Sequence, residues 1–172
     1  MPKFSDIKQF TRTGSYNVNV PWLSLERHLE SWTREPPYLD LEPDFQREHV
    51  WTVTQQRAYI EYILRGGRSG RILYFNCPGW NIGEMGQMVI VDGKQRLQAV
   101  RHFLSNNFGV FGGNYFKDYT DILRPVKCDF IFSVNDLETR QEVLQWYLEM
   151  NSGGTPHTEG ELDKVRNLLK AC

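Results

Sequence analysis

Apolar and polar positions along this chain switch between two periods, and each switch predicts an element boundary. Tyr16, Val18 and Val20 alternate with Asn17 and Asn19, which predicts a half-buried strand closed by Pro21. Leu25, Leu29 and Trp32 share one helical face, with Ser24 as the expected N-cap and Pro36-Pro37 forbidding continuation. Asp44 to Trp51 has no clean period and reads as an ordered loop that carries polar side chains. A helix follows: Thr52 and Gln55 form a capping-box pattern, Ala58, Tyr59, Tyr62 and Ile63 give an apolar face, and Gly66-Gly67 ends it.

The runs Ile72 to Phe75 and Met88 to Val91 are short and continuously apolar, which predicts two buried strands, joined by turn-rich residues and paired as a hairpin. The pattern then becomes helical at once. Leu97, Val100, Phe103 and Leu104 form a buried stripe, which leaves Lys94, Gln98 and Arg101 on a polar face and Arg96 at the helix mouth beside Asp92. Asn106-Asn107 and Gly109, Gly112 and Gly113 mark a loop whose Phe108, Phe111, Tyr115 and Phe116 either pack locally or offer stacking surfaces to bases. Val126, Cys128, Phe130 and Phe132 alternate with Lys127 and Asp129 as a further strand. Leu137, Leu144, Tyr147 and Leu148 predict a helix ending before Asn151. A second capping box, Thr158 with Glu161, opens a last helix through Leu162, Val165, Leu168 and Leu169. This order predicts an N-terminal arm over residues 1–14 and one α+β domain over 15–172, with a small mixed sheet flanked by helices.

Composition narrows the function classes. A chain of 172 residues suits one well-buried domain, and a formal charge of −1 argues against the strongly basic surface of a protein that grips duplex DNA through its phosphates. Arg57, Arg65, Arg68 and Arg71 nevertheless concentrate positive charge in one segment and are candidates for nucleic-acid contact, although a solvated helix face explains them as well. Cys77, Cys128 and Cys172 are odd in number and far apart, which indicates neither a disulfide framework nor a zinc knuckle and fits a reducing cytoplasm. His28, His49, His102 and His157 have no metal-ligand spacing, and nothing calls for zinc, haem or flavin. Without a long apolar run, neither a signal peptide nor a membrane span is expected.

The candidate chemistry sits where the second strand of the hairpin meets its helix. A glycine at a strand-to-helix turn lets backbone approach a ligand closely, and the first amides of the helix carry partial positive charge. Gly93 therefore predicts an anion site with Lys94, Gln95 and Arg96 beside it, while Asp-Gly is also an ordinary turn dipeptide. Asp92 suits either a magnesium ion, an attacking water, or a plain helix cap.

Three segments carry a resemblance. Phe45-Gln-Arg-Glu-His-Val-Trp51 with the helix ending Ile60-Glu-Tyr-Ile-Leu-Arg-Gly66 is the first, Val91-Asp-Gly-Lys-Gln-Arg-Leu97 the second, and Asn151-Ser-Gly-Gly-Thr-Pro156 with Glu161-Leu162 the third. In this order they resemble the N-terminal domain of the GmrSD-type restriction proteins, whose signature is Asp-Gly-Gln-Gln-Arg-Leu, and more broadly the ParB/sulfiredoxin-like superfamily. Gly93-Lys-Gln-Arg96 with Ala99 is similar to the phosphate-holding pattern of ParB-like proteins. The resemblance implies a ParB/sulfiredoxin-like fold that binds a nucleoside triphosphate with magnesium and hydrolyses it weakly or under a partner's control, in phage defence or its evasion. Phosphate contacts would come from Arg47, Gly93, Lys94, Gln95, Arg96, Asn151, Gly153, Gly154 and Thr155, and catalysis from Asp92, Gln95 and Arg96, with Gln46 and Gln95 positioning water.

Lys94 stands where the signature has glutamine and Gln98 where threonine is usual, and no sulfiredoxin-type cysteine lies in the turn. The helical region and His-Asn-His nuclease domain that follow in the family are not in this sequence, so no self-sufficient restriction enzyme is expected. The alternative is a non-enzymatic module that binds DNA or a defence protein as antagonist or decoy, with self-association left open; a ParB-like DNA nuclease is a third reading, less favoured because the sequence offers no obvious metal cluster for it.

Overall fold

The computed structural model describes residues 2–7, 16–48, 50–121, 128–151 and 159–172. Its centre is the predicted hairpin: β2 (Ile72–Asn76) and β3 (Val89–Asp92) pair antiparallel. Successive side chains leave a strand in opposite directions. Leu73, Phe75 and Ile90 accordingly enter one core, while Tyr74, Val89 and Val91 enter another on the opposite face. A hairpin covered on both faces needs no wet positions, which is why its runs are continuously apolar.

β4 (Asp129–Asn135) lies parallel to β2, and β1 (Tyr16–Pro21) lies antiparallel to β4, giving a mixed sheet in the order β1-β4-β2-β3. β4 starts at Asp129 and runs three residues past the predicted Phe132; Val126 and Lys127 fall outside the described residues. Pairing with β2 carries β4 onward, since Ile72 to Asn76 match Ile131 to Asn135 and Val134 continues the buried row of Phe130 and Phe132.

One face of the sheet is covered by α1 (Leu25–Arg34), α2 (Val53–Leu64) and α3 (Lys94–Leu104), the other by α4 (Arg140–Asn151) and α5 (Glu159–Lys170). The chain is α+β, as its pattern predicts. The stripe on α3 is sealed, with Leu97, Val100 and Phe103 at most 2% exposed. Burial of each such side chain contributes about 1.5–3 kcal/mol, enough to fix which way the first turn of α3 faces.

Several local expectations need correction. Ser24 occupies the N-cap position of α1 without a side-chain cap, because a 3-10 turn, Trp22–Ser24, leads directly into the helix. The Thr52/Gln55 capping box of α2 is formed, but the buried face is Gln56, Ile60 and Ile63, while Ala58 and Tyr62 are exposed. Tyr62 instead folds beside Gly67, its hydroxyl 2.6 Å from Ser69 Oγ. Lys94 is buried and not part of the polar face. Leu137 precedes α4, tied by its backbone to Asn76 (2.8 and 3.0 Å), and α4 runs on to include Asn151. Thr158 lies outside the described residues, so the second capping box does too. No helix among the described residues is long and apolar enough to cross a membrane.

Candidate functional site

β3 ends at Asp92 and α3 begins at Lys94, so Gly93 alone makes the turn. Its φ is +103°, and a Cβ there would lie 2.3 Å from Cδ2 of the fully buried Leu73. Backbone conformation and space therefore both require glycine. Leu97 N donates to Gly93 O at 2.9 Å as the first turn closes. Among the described residues no side-chain cap is made at Gly93 and the first turn of α3 has no acidic residue, so its leading amides keep their partial positive charge.

Asp92 does not act as the cap. Its Oδ2 accepts from Arg96 Nη2, and Arg96 Nη1 donates to Ile72 O at 2.9 Å, which braces the turn against the start of β2. Arg96 is largely buried and Asp92 about one-third exposed. Asp92 thus faces the cleft from one side and the guanidinium from the other.

A cleft of about 350 Å³ opens above this turn and joins segments far apart in sequence. Gln46, Arg47 and Trp51 come from the loop before α2, Asp92 to Arg96 from the turn, and Tyr147, Met150 and Asn151 from the end of α4. Gly70, after α2, completes the lining. Arg47, Gly93, Lys94, Gln95, Arg96 and Asn151 line this cleft together with Asp92; Gly153, Gly154 and Thr155 lie outside the described residues. Trp51, Gly70, Tyr147 and Met150 were not expected in the lining. Trp51 shares the segment of Arg47, which could have drawn attention to it, but Tyr147 and Met150 look like ordinary helix residues until α4 is placed.

The two glutamines expected to position water are otherwise employed. Gln46 Nε2 donates to Val91 O at 2.6 Å and Ile90 O at 3.3 Å. Gln95 Oε1 accepts from Val50 N at 2.9 Å and Trp51 N at 3.1 Å, while its Nε2 donates to Glu48 O at 3.0 Å. Gln46 fixes the loop before α2 to β3 and Gln95 fixes it to the first turn of α3, which makes them positioning residues for the lining. Lys94 is also engaged: its ammonium pairs with Glu42, whose side chain is 75% exposed. Arg47 and Arg96 are the guanidinium groups of the cleft.

Tyr59 sits behind Arg96 and donates its hydroxyl to Gly70 O at 2.8 Å. Burial holds this phenol well above its ordinary range despite the opposing pull of Arg96 and Arg71, so it stays neutral and serves as a donor. Among the described residues Asp92 is the one carboxylate of the lining, and no group of three or more His, Cys, Asp or Glu side chains could hold a metal ion. One carboxylate fits magnesium carried mainly by substrate phosphates and water; it does not fit a metal held by protein alone.

The four arginines considered for nucleic acid are not a free patch. Arg57 Nε donates to Gly109 O at 2.8 Å, Arg65 lies 5.2 Å from the Phe111 ring centroid, and Arg71 pairs with Asp129 at 3.0 Å and donates to Gly67 O at 2.9 Å. Arg68 is exposed. Phe108 and Phe116 of the aromatic loop pack against Phe103, so local packing describes them.

No curated protein and no solved structure matches the chain. Residues 29–128 match the family described as GmrSD restriction endonuclease, N-terminal domain. That stretch contains Arg47, Trp51 and the whole Asp92–Arg96 turn, and it ends before α4, so Asn151 and the third resembling segment lie beyond it. With more than half of its length matched, including the residues that build the floor of the cleft, the chain belongs to the GmrSD restriction endonuclease N-terminal domain family.

Proposed function

We propose that this domain binds a nucleoside triphosphate over the first turn of α3, and that it is a slow or partner-controlled triphosphatase in a restriction-related process. The observation that carries the reading is the convergence of the first turn of α3 at Gly93 with Arg47 and Arg96 in one cleft. A helix N-terminus alone balances about half a charge, far less than a polyphosphate carries, so the guanidinium groups supply what the amides cannot. Asn151, at the end of α4, also lines the cleft.

Hydrolysis in this reading is attack of water on the terminal phosphorus, giving the diphosphate and inorganic phosphate. Magnesium, when bound with the nucleotide, would neutralise phosphate charge. Asp92 would contact that ion or orient the water through the oxygen not used by Arg96. Among the described residues no strong general base lines the cleft and both glutamines are tied to backbone, so these groups order reactants more than they abstract protons.

The test is calorimetric titration with ATP and GTP in the presence of magnesium, on the parent, Arg96→Ala and Arg47→Ala proteins, with phosphate release measured in parallel. Loss of one charge-assisted contact should weaken binding by about ten-fold or more. A parent protein that binds neither nucleotide overturns the reading, whereas binding without phosphate release makes the domain a sensor. Asp92→Asn should then retain binding and lose whatever phosphate release the parent shows.

A further inference from the structure

Two buried glutamines converge on one tryptophan at the wall of the cleft. Gln95 Oε1 accepts the Trp51 N–H at 3.1 Å, and Gln56 Nε2 donates to the Trp51 carbonyl at 3.0 Å. Gln56 and Gln95 are 4% and 9% exposed, so each has exchanged hydration for the task of holding this backbone. Gln56 is itself held by His102, whose Nδ1 lies 2.9 Å from Gln56 Oε1. The Trp51 ring meets Tyr59 edge-on at 5.6 Å, and Tyr59 is tethered to Gly70 by its hydroxyl. Trp51 nevertheless keeps part of its surface open and lines the cleft. An indole fixed at backbone and ring, with part of its surface open to the cleft, is a surface prepared for a flat partner.

We propose that Trp51 is the stacking platform for the base of the bound nucleotide; this rests on the phosphate reading above. Reach supports it, because Gln95 belongs to the turn that would hold the phosphates and also touches the backbone of Trp51. The ligand class is therefore a nucleoside triphosphate and not a bare polyphosphate or phosphorylated sugar. Stacking accepts any base through its π-face, and the purines, with the larger face, gain most. Gln95 makes phosphate turn and base platform one rigid unit, so the two halves of the ligand are measured against each other.

Titrations with ATP, CTP and inorganic tripolyphosphate, each with magnesium, separate the two halves. The parent should bind ATP at least about ten-fold more tightly than tripolyphosphate, with CTP between them. Trp51→Leu should abolish that preference and leave tripolyphosphate affinity unchanged. Trp51→Phe, which keeps a ring on Tyr59, should restore most of the preference and lack the ATP-induced quenching of tryptophan fluorescence expected of the parent. Equal affinities of the parent for ATP and tripolyphosphate overturn the platform while leaving the phosphate site standing. An equal loss of both ligands in Trp51→Leu and Trp51→Phe also overturns it, by making Trp51 a structural residue. A parent that binds none of the three removes the phosphate reading and the platform with it.

Discussion

Replacing Gly93 by alanine should damage the fold through two separable terms. Positive φ costs a residue with a Cβ about 1–2 kcal/mol, and the value here is +103°. The new methyl would also lie 2.3 Å from Leu73 Cδ2, and Leu73 is fully buried between sheet and helices, so it has no solvent to swing into. Overpacking of that kind adds about 1–3 kcal/mol. Together the two terms predict a loss of about 2–5 kcal/mol, which for a chain of this size lowers Tm by on the order of 10 °C. Gly83 supplies the control, because its φ is +77° but a Cβ there has no atom within 4 Å. Gly83→Ala should lose only the backbone term of about 1–2 kcal/mol. Urea unfolding of both variants, followed by circular dichroism, gives the comparison. If the two variants lose the same stability, the close approach of Leu73 does not fix the turn, and the geometry assigned to the α3 amides falls with it.

Thiol chemistry and the basic segment give further checks. Burial pushes Cys77 and Cys128 up to about 11 from the ordinary 9.0, with Asp136 adding to the shift at Cys77, whereas Cys172 is exposed. Native protein at pH 8 should therefore show one fast-reacting thiol, and three in urea; three fast thiols in the native state would contradict the packing. The same shifts set a sign for stability: the two thiols are protonated in both states below pH 9, and between about 9 and 11 they ionise more readily in the unfolded chain. Their contribution should thus be intact at pH 8 and decline toward pH 11, as read from the urea midpoint. Arg71→Ala breaks a pair whose partners are only 14% and 29% exposed and should cost about 1–3 kcal/mol, while Arg68→Ala should stay within about 0.5 kcal/mol. Equal urea midpoints for these two variants would refute the structural role given to Arg71.

Much of this architecture was legible because local pattern and tertiary placement agree. The α3 stripe, the two apolar runs and the Asp92-Gly93 junction are all decided within a few residues by burial and by the backbone freedom of one glycine. What the sequence concealed depends on segments that meet only in the fold. Gln46 and Gln95 look like mobile polar side chains beside a ligand, yet their partners are backbone groups some 45 residues away in the chain. Arg71 looks like part of an exposed basic run until the parallel pairing of β2 with β4 brings Asp129 beside it. Tyr62 fits an apolar face by spacing, but α2 is rotated so that Gln56 enters the interior, a choice made by Trp51 and His102 and invisible to periodicity.

The departure of this chain from the family signature at Lys94 is also resolved by a partner distant in sequence. A buried ammonium without a counter-charge is costly, and Lys94 is 9% exposed. Glu42 provides that charge from the segment before the cleft, and it is not part of the cleft lining. Lys94 and Glu42 together therefore add no net charge, and the substitution leaves the field over the turn to Arg47, Arg96 and the α3 amides. Arg96 is in turn committed to Asp92 and to Ile72 O, whereas Arg47 enters the cleft from the loop before α2. Charge at this site is distributed so that the turn carries its own counter-ions, and the loop before α2 carries the cation that approaches from outside it. That loop is the element Gln46 and Gln95 hold in place, so the two glutamines act on the electrostatics of the cleft through the position of Arg47, with no charge of their own.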